Sequence, residues 1–415
     1  MRAWQSWVGM GVAVGVIGAL LPLLGSTPRR ELAERAPLGH VSSTRGLLPR
    51  EPDLEGLDLL RLELHPDHVE SPLRHGATAE LTLDPELQRT ALALLDRHDV
   101  PEAGVVLLNI KNGDVLVYAS RVSGARPFDV NATAEAPAAS IFKLITASAL
   151  LEKPGISAET EQCYRGGQSR ISADELRDDP ARDRWCASLA MALGRSINVV
   201  FARLARRLLT PESLTETAGA FGFGASTPFD VKTEAPMAAL PSDPLEFARS
   251  AAGFWHTSLS PLAGASIAQT IANAGVTYRP RIVRSVRDGE EMVWRAPAEP
   301  TPLRRAVSTR VAHELTKMME QTVASGSAYK TFHLANGNAY LPQLRVAGKT
   351  GTLTRHEDER YYTWFVGFAP ADKPEVAVSA LVVNTPNWHI KGPQLGRDVL
   401  RAYFAQRGVP GVNPP

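Results

Sequence analysis

Two β-rich runs near residue 110, a long helical middle and three more β-rich runs after residue 344 predict an α/β chain of the α+β kind. The expected architecture is a mostly antiparallel five-stranded sheet covered by helices. An all-helical insertion separates the early strands from the late ones. Dividing this region into separate domains would strand a lone two-stranded hairpin, which is marginal in water. Early and late strands are therefore expected in one sheet.

The early runs are Gly104 to Ile110 and Asp114 to Ser120, joined around Asn112-Gly113, a strong hairpin signal. A helix precedes them: Asp84-Pro85 is a start signal, and Leu87, Ala91, Leu94 and Leu95 form its apolar stripe. From Pro137 to about Asn273 the pattern is helical, with one helix from Ser140 to Leu151 and another marked by Val199, Phe201, Leu204 and Leu208. A third opens at Ser260-Pro261 and stops near Asn273-Ala274-Gly275. The late strands are Leu344 to Thr354, Tyr361 to Ala369 and Glu375 to Asn384. Gly392-Pro393 then opens a terminal amphipathic helix.

With 415 residues, 44% of them hydrophobic, the chain buries a sizeable core. A net charge of +1 speaks against a dedicated nucleic-acid binder, which shows a basic surplus or stripe. The reading divides the chain into residues 1–25, an export segment; 26–76, a linker and irregular lead-in; and 77–415, the functional domain.

Within the first segment, Trp7 to Gly25 is uncharged and mostly apolar, just long enough to cross a bilayer as a helix. An uncleaved signal anchor, a cleaved signal peptide and a buried helix compete. No small-x-small cleavage site precedes Ser26, which favours the anchor, and either leading reading exports the rest of the chain. Cys163 and Cys186 agree with export, because they bracket a polar Arg- and Asp-rich stretch suited to closure by a disulfide. No metal is expected: neither cysteine has zinc spacing, and His65 and His68 flank an exposed turn at Pro66 and are not read as ligands.

Three short elements carry chemistry. Ser140 and Lys143 are three residues apart on a predicted helix, so they are neighbours on one face. A serine hydroxyl needs a base, and a lysine serves when burial or a second cation lowers its pKa. Ser196-Ile197-Asn198 is expected at the start of the helix containing Val199. Lys349-Thr350-Gly351-Thr352 lies in a predicted strand, where glycines on either side of the lysine let a backbone approach a ligand closely. Each element alone is also a plain helix, a plain cap or a plain strand.

Together and in this order they resemble the Ser-x-x-Lys, Ser-x-Asn and Lys-Thr-Gly set of the penicillin-binding transpeptidase family, shared with class A β-lactamases. The resemblance runs from about Leu81 to Arg407. It includes Leu83-Asp84-Pro85-Glu86-Leu87-Gln88, Ala252-Gly253-Phe254-Trp255, and Trp364-Phe365-Val366-Gly367-Phe368-Ala369-Pro370. It implies a peptidoglycan D,D-transpeptidase that forms a serine acyl-enzyme on D-Ala-D-Ala stem peptides and is acylated by β-lactam antibiotics, without a cofactor. By resemblance Ser140 is the nucleophile, Lys143 its base and Ser196 the proton relay to the leaving group. Asn198 holds the substrate amide, and Lys349 supplies positive charge. Thr350 and Thr352 bond the terminal carboxylate beside Gly351, and the N–H groups of Ser140 and Thr352 form the oxyanion hole. Further cell-wall synthesis partners and a membrane-anchored, extracytoplasmic (periplasmic) domain follow from the same likeness.

Two departures qualify it. The middle motif has Ile197 at its central position, and the stretch before Ser140 is too short for a glycosyltransferase module or a full pedestal domain. A D,D-carboxypeptidase shares every motif and stays open. A β-lactamase of class A pattern wants Glu-x-x-Leu-Asn, which neither Glu212 nor Glu234 begins. A non-catalytic β-lactam sensor conflicts with an intact set of reactive groups.

Overall fold

The computed structural model describes residues 51–124, 127–167 and 169–415. The export segment expected over 1–25 and the first part of the lead-in lie outside the described residues. Among the described residues no helix is long and apolar enough to cross a membrane.

The five expected strands form one sheet. They are β1 (Glu102–Asn109), β2 (Val115–Val122), β3 (Ala347–Arg355), β4 (Arg360–Ala369) and β5 (Val376–Asn384). Their order is β3-β4-β5-β1-β2, and every neighbouring pair is antiparallel. Gly113 turns the β1–β2 hairpin at φ 78°, a conformation glycine adopts without the β-carbon clash. Central β5 is buried along its whole length, which explains its nearly unbroken apolar run (Val-Ala-Val-Ser-Ala-Leu-Val-Val).

Alternating side chains feed two cores, one on each face. Val106, Leu108, Trp364, Val366 and Phe368 join the larger cluster, whereas Val105, Leu107, Phe365, Val378 and Ala380 join the other. Helix α1 (Pro85–Arg97) belongs to the second face, together with the C-terminal helix. Asp84 caps α1 by accepting from the Glu86 and Leu87 N–H groups at 3.1 and 3.0 Å, as the Asp-Pro signal predicts.

The first face carries the insertion: α2 (Lys143–Leu151), α3 (Leu189–Arg195), α4 (Asn198–Leu208), α5 (Pro261–Ala272) and α6 (Thr309–Ala324). Helix α7 (Gly392–Gln406) closes the chain on the opposite face.

Two expectations need correction. The insertion is not all helical, since short strands pair at Glu161–Tyr164 with Trp185–Ser188, and at Val276–Tyr278 with Pro302–Arg305. Nor is the lead-in irregular up to residue 76. Glu63–Leu64, Val69–Pro72 and Ala77–Leu81 form a second five-stranded sheet with Val283–Asp288 and Glu291–Arg295. These strands are two to six residues long, too short to show a period. The first three pair locally, but Ala77–Leu81 also pairs with Val283–Asp288 some 200 residues away, where a local pattern carries no signal of the match.

His65 and His68 sit on the hairpin of this second sheet with stacked rings. They bring a possible ligand set together with Glu70. The group is already satisfied, however. His65 Nε2 lies 3.1 Å from one Glu70 oxygen, Asp67 lies 2.9 Å from His68 Nδ1, and the Arg287 guanidinium is 3.7 Å from Glu70. That cation competes with any metal for the one shared carboxylate.

Candidate active site

The segment before Ser140 is pinned to the sheet: the indole N–H of Trp364 on β4 donates to the Pro137 carbonyl at 2.9 Å. Ala139 then takes φ 50°, a left-handed conformation that costs a non-glycine residue about 1–2 kcal/mol. Ser140 follows in a single 3-10 turn, Ala139–Phe142, that runs directly into α2. The expected helix is therefore present, but its first turn is tighter than an α-helix. Strain next to Ser140 persists because surrounding contacts over-determine it. Gly253 packs on the Ala139 carbonyl, and Thr146 Oγ1 donates to Ala251 O at 2.7 Å.

Lys143 is wholly buried. Its Nζ lies 2.8 Å from Ser140 Oγ, 2.6 Å from Asn198 Oδ1 and 2.5 Å from Ala252 O. Burial first, and the neighbouring Lys349 second, hold its pKa well below the ordinary lysine value. In the neutral form the amine has two N–H donors and one lone pair. Asn198 Oδ1 and Ala252 O are acceptors only, so they take the two donors. The lone pair then faces the one neighbour that has a proton to give, Ser140 Oγ–H. This is the geometry of a general base beside its nucleophile.

Lys349 is also wholly buried, which pushes its pKa down to about 7. It donates to Ser196 Oγ at 2.9 Å and to Thr350 O at 2.8 Å. Near neutral pH it divides between charged and neutral forms, and an arriving carboxylate favours the charged one.

Ser196 does not start a helix, as its sequence position suggests. It closes α3 in the left-handed region, at φ 59° and ψ 40°, while α4 begins at Asn198 behind Ile197. The two helices meet at a corner, and the turn aims both Ser196 and Asn198 at the lysines.

Thr350, Gly351 and Thr352 lie on β3, the edge strand of the central sheet. A β-carbon at Gly351 would come within 3.3 Å of Ile141, so glycine lets β3 pass close to the Ser140 turn. Thr352 is exposed. An edge strand offers unpaired backbone groups to an extended peptide laid alongside it. All eight site residues read from the sequence thus fall at one place.

Sequence reasoning missed two contributors. The Ala252 carbonyl accepts a hydrogen bond from Lys143 Nζ, and a backbone acceptor leaves no mark on residue type. Ser327, in the turn after α6, sits with its Oγ 2.6 Å from Thr350 Oγ1. Its only sequence signal is Gly326-Ser327 just past a helix end.

Cys163 and Cys186 are bonded to each other and stand directly opposite in the Glu161–Tyr164 and Trp185–Ser188 ribbon. Glu234 accepts from the Ala134 N–H at 2.9 Å, a structural bond, and Glu212 lies in the first turn of the helix Pro211–Ala220. Among the described residues, no carboxylate bonds Ser140 or Lys143.

Residues 103–400 match the family pattern described as the penicillin binding protein transpeptidase domain. The chain is 33% identical over 259 residues to a peptidoglycan D,D-transpeptidase, PbpA, of Mycobacterium tuberculosis, covering 60% of this chain and 50% of that protein. It is 27% identical over 346 residues to stage V sporulation protein D of Bacillus subtilis, covering 77% of this chain and 52% of that one. The chain therefore spans about half the length of these relatives. In three dimensions it resembles a D,D-transpeptidase domain from Eggerthella lenta, with TM-score 0.67, 24% identity, and 82% and 86% of the two chains covered. It also resembles penicillin-binding protein A of M. tuberculosis in its ceftriaxone acyl-enzyme complex, with TM-score 0.62, 25% identity, and 78% and 79% covered.

Proposed function

The chain belongs to the penicillin-binding protein transpeptidase family, and on that basis we propose that it is a peptidoglycan D,D-transpeptidase with Ser140 as its nucleophile. The observation that carries this is Lys143, buried without a carboxylate partner among the described residues and set 2.8 Å from Ser140 Oγ. Lys143 takes the Ser140 proton as Oγ attacks the carbonyl carbon of the penultimate D-alanine. The oxyanion is met by the N–H groups of Ser140 and Thr352. As the C–N bond breaks, the proton passes through Ser196 to the departing D-alanine amine. Lys349, Thr350 and Thr352 hold the terminal carboxylate, and Asn198 the substrate amide. An amine of a second stem peptide then attacks the ester carbonyl, Lys143 takes the amine proton and returns it to Ser140 Oγ as the C–O bond breaks, and the cross-link leaves with Ser140 restored.

The same site accounts for acylation by β-lactams, whose strained amide stands in for the D-Ala-D-Ala bond. The catalytic domain works outside the cytoplasm, held to the membrane by the apolar segment within residues 1–25. The Cys163–Cys186 bond supports that location, because disulfides persist in oxidising compartments. Carboxypeptidase action differs only in water replacing the acceptor amine. Supplying a D-amino acid as acceptor to a D-alanyl thioester donor separates the two, since a transpeptidase gives the exchanged product.

The decisive experiment is labelling with fluorescent penicillin followed by mass spectrometry of the modified peptide. The adduct is expected on Ser140 and absent from a folded Ser140→Ala variant. Labelling retained in that variant, or an adduct elsewhere, overturns the assignment. The complex should also be long-lived. Among the described residues no carboxylate bonds Ser140 or Lys143 to serve as a base for water, and general-base help is often worth 10²–10⁴-fold. One equivalent of penicillin should be consumed in a burst, followed by turnover below about one per minute, a barrier above roughly 20 kcal/mol. Sustained turnover of many per second would instead indicate a β-lactamase.

A further inference from the structure

The turn between α6 and the helix Tyr329–Phe332 touches two parts of the site at once. Its side chain Ser327 reaches Thr350 Oγ1 at 2.6 Å, and its backbone N–H donates to Gly194 O at 2.9 Å, two residues before Ser196. The approach is tight enough that a β-carbon at Gly326 would overlap the Gly194 carbonyl and sit 2.8 Å from Gln321 O. A β-carbon at Gly194 would in turn come within 3.0 Å of Gln321 Cβ. Two glycines thus let the end of α6 rest on the end of α3. Ser327 is exposed on its free side, so it borders the space in front of Thr350.

Two hydroxyls at 2.6 Å share one proton between them, and either can donate. If Thr350 donates to Ser327, the lone pairs of Thr350 face whatever lies in the site, which repels an anion. If Ser327 donates, the Thr350 proton is free to point outward. We propose that Ser327 is a positioning residue for carboxylate recognition: it donates to Thr350 Oγ1 and thereby turns the Thr350 hydroxyl proton toward the terminal carboxylate of the acyl donor. This rests on the reading of Thr350 as a carboxylate-binding residue. A carboxylate selects the outward arrangement because only that one makes a charge-assisted bond. Without Ser327 the Thr350 hydroxyl is a free rotor, and part of the bond's net worth goes to ordering it.

The test compares two donors that differ only in that charge: N-benzoyl-D-alanyl-thioglycolate and its methyl ester. Thioester cleavage by the full chain is followed as kcat/KM. Ser327→Ala should lose about 3- to 10-fold on the free acid, one hydrogen bond's worth. It should stay within about 2-fold on the methyl ester. Ser327→Thr, which restores a hydroxyl, should recover most of the loss on the acid. Equal losses on both donors, an unchanged acid rate, or failure of threonine to rescue each overturn the proposal. Should Ser327→Ala not fold, Ser327→Cys keeps the volume with a poorer donor, and the same acid-to-ester ratio decides. Thr350→Val guards the underlying reading. If it keeps the wild-type ratio, Thr350 does not bind the carboxylate, and the error lies there rather than in the Ser327–Thr350 contact.

Discussion

Gly253→Ala tests whether the Ser140 turn is held by backbone contact from the neighbouring loop. Gly253 has φ 81°, which L-residues rarely adopt, and a β-carbon there would overlap the Ala139 carbonyl oxygen. It would also stand 2.8 Å from the Ala139 carbonyl carbon and 3.0 Å from Ser140 Cα, where ordinary contact begins at 3.4 Å. None of these atoms belongs to a side chain that can swing away. The left-handed conformation costs alanine about 1–2 kcal/mol, and overpacking adds about 1–3 kcal/mol. The total is about 2–5 kcal/mol, which lowers the melting midpoint of a chain this long by about 3–6 °C. Relief requires Ser140 or the Ala252 carbonyl to move by about half an ångström, and the latter holds Lys143. Misplacement of that order changes rates by up to about 10²-fold. Stopped-flow acylation by a fluorescent penicillin and thermal melting give both numbers. Gly224→Ala is the control, because Gly224 has φ 84° with nothing within 4 Å. It should show the conformational cost and keep its acylation rate. If both variants acylate alike, the Gly253 contact does not position Ser140.

Reduction of the disulfide, or Cys163→Ser with Cys186→Ser, should lower stability by up to about 3 kcal/mol. Arg203 on α4 bonds Cys163 O and the Asp183 carboxylate, so proteolysis should first enter 163–186 and leave the central sheet protected; cleavage elsewhere first refutes this. The pH dependence of stability follows from Lys349, whose folded pKa of about 7 lies below the unfolded value of about 10.4. Between these the unfolded chain binds more protons, so stability rises with pH from about 7 to about 10. Lysine 143 acts in the same direction. Urea midpoints measured across this window should rise less steeply in Lys349→Gln than in the wild-type chain, and an equal slope would rule the Lys349 contribution out.

The sequence by itself determined the central architecture and the reactive groups. Asn112-Gly113 between two apolar runs required a hairpin, and Asp84-Pro85 required a helix start, because these signals act within a few residues. Ser140 and Lys143 were bound to be neighbours, since three residues make nearly one helical turn. What only the tertiary structure decided depends on partners remote in the chain. Lysines 143 and 349 look like any others until burial, which the whole fold imposes, lowers both pKa values. Ser196 reads as a helix start, yet it ends α3, a helix packed against α6, as a left-handed corner. The strand Ala77–Leu81 finds its second partner, Val283–Asp288, only some 200 residues later, and through it the local strands Glu63–Leu64 and Val69–Pro72 join a five-stranded sheet. Ser327 and the Ala252 carbonyl join the site for the same reason: a hydroxyl and a peptide oxygen are common to every chain, and only three-dimensional proximity gives them a task.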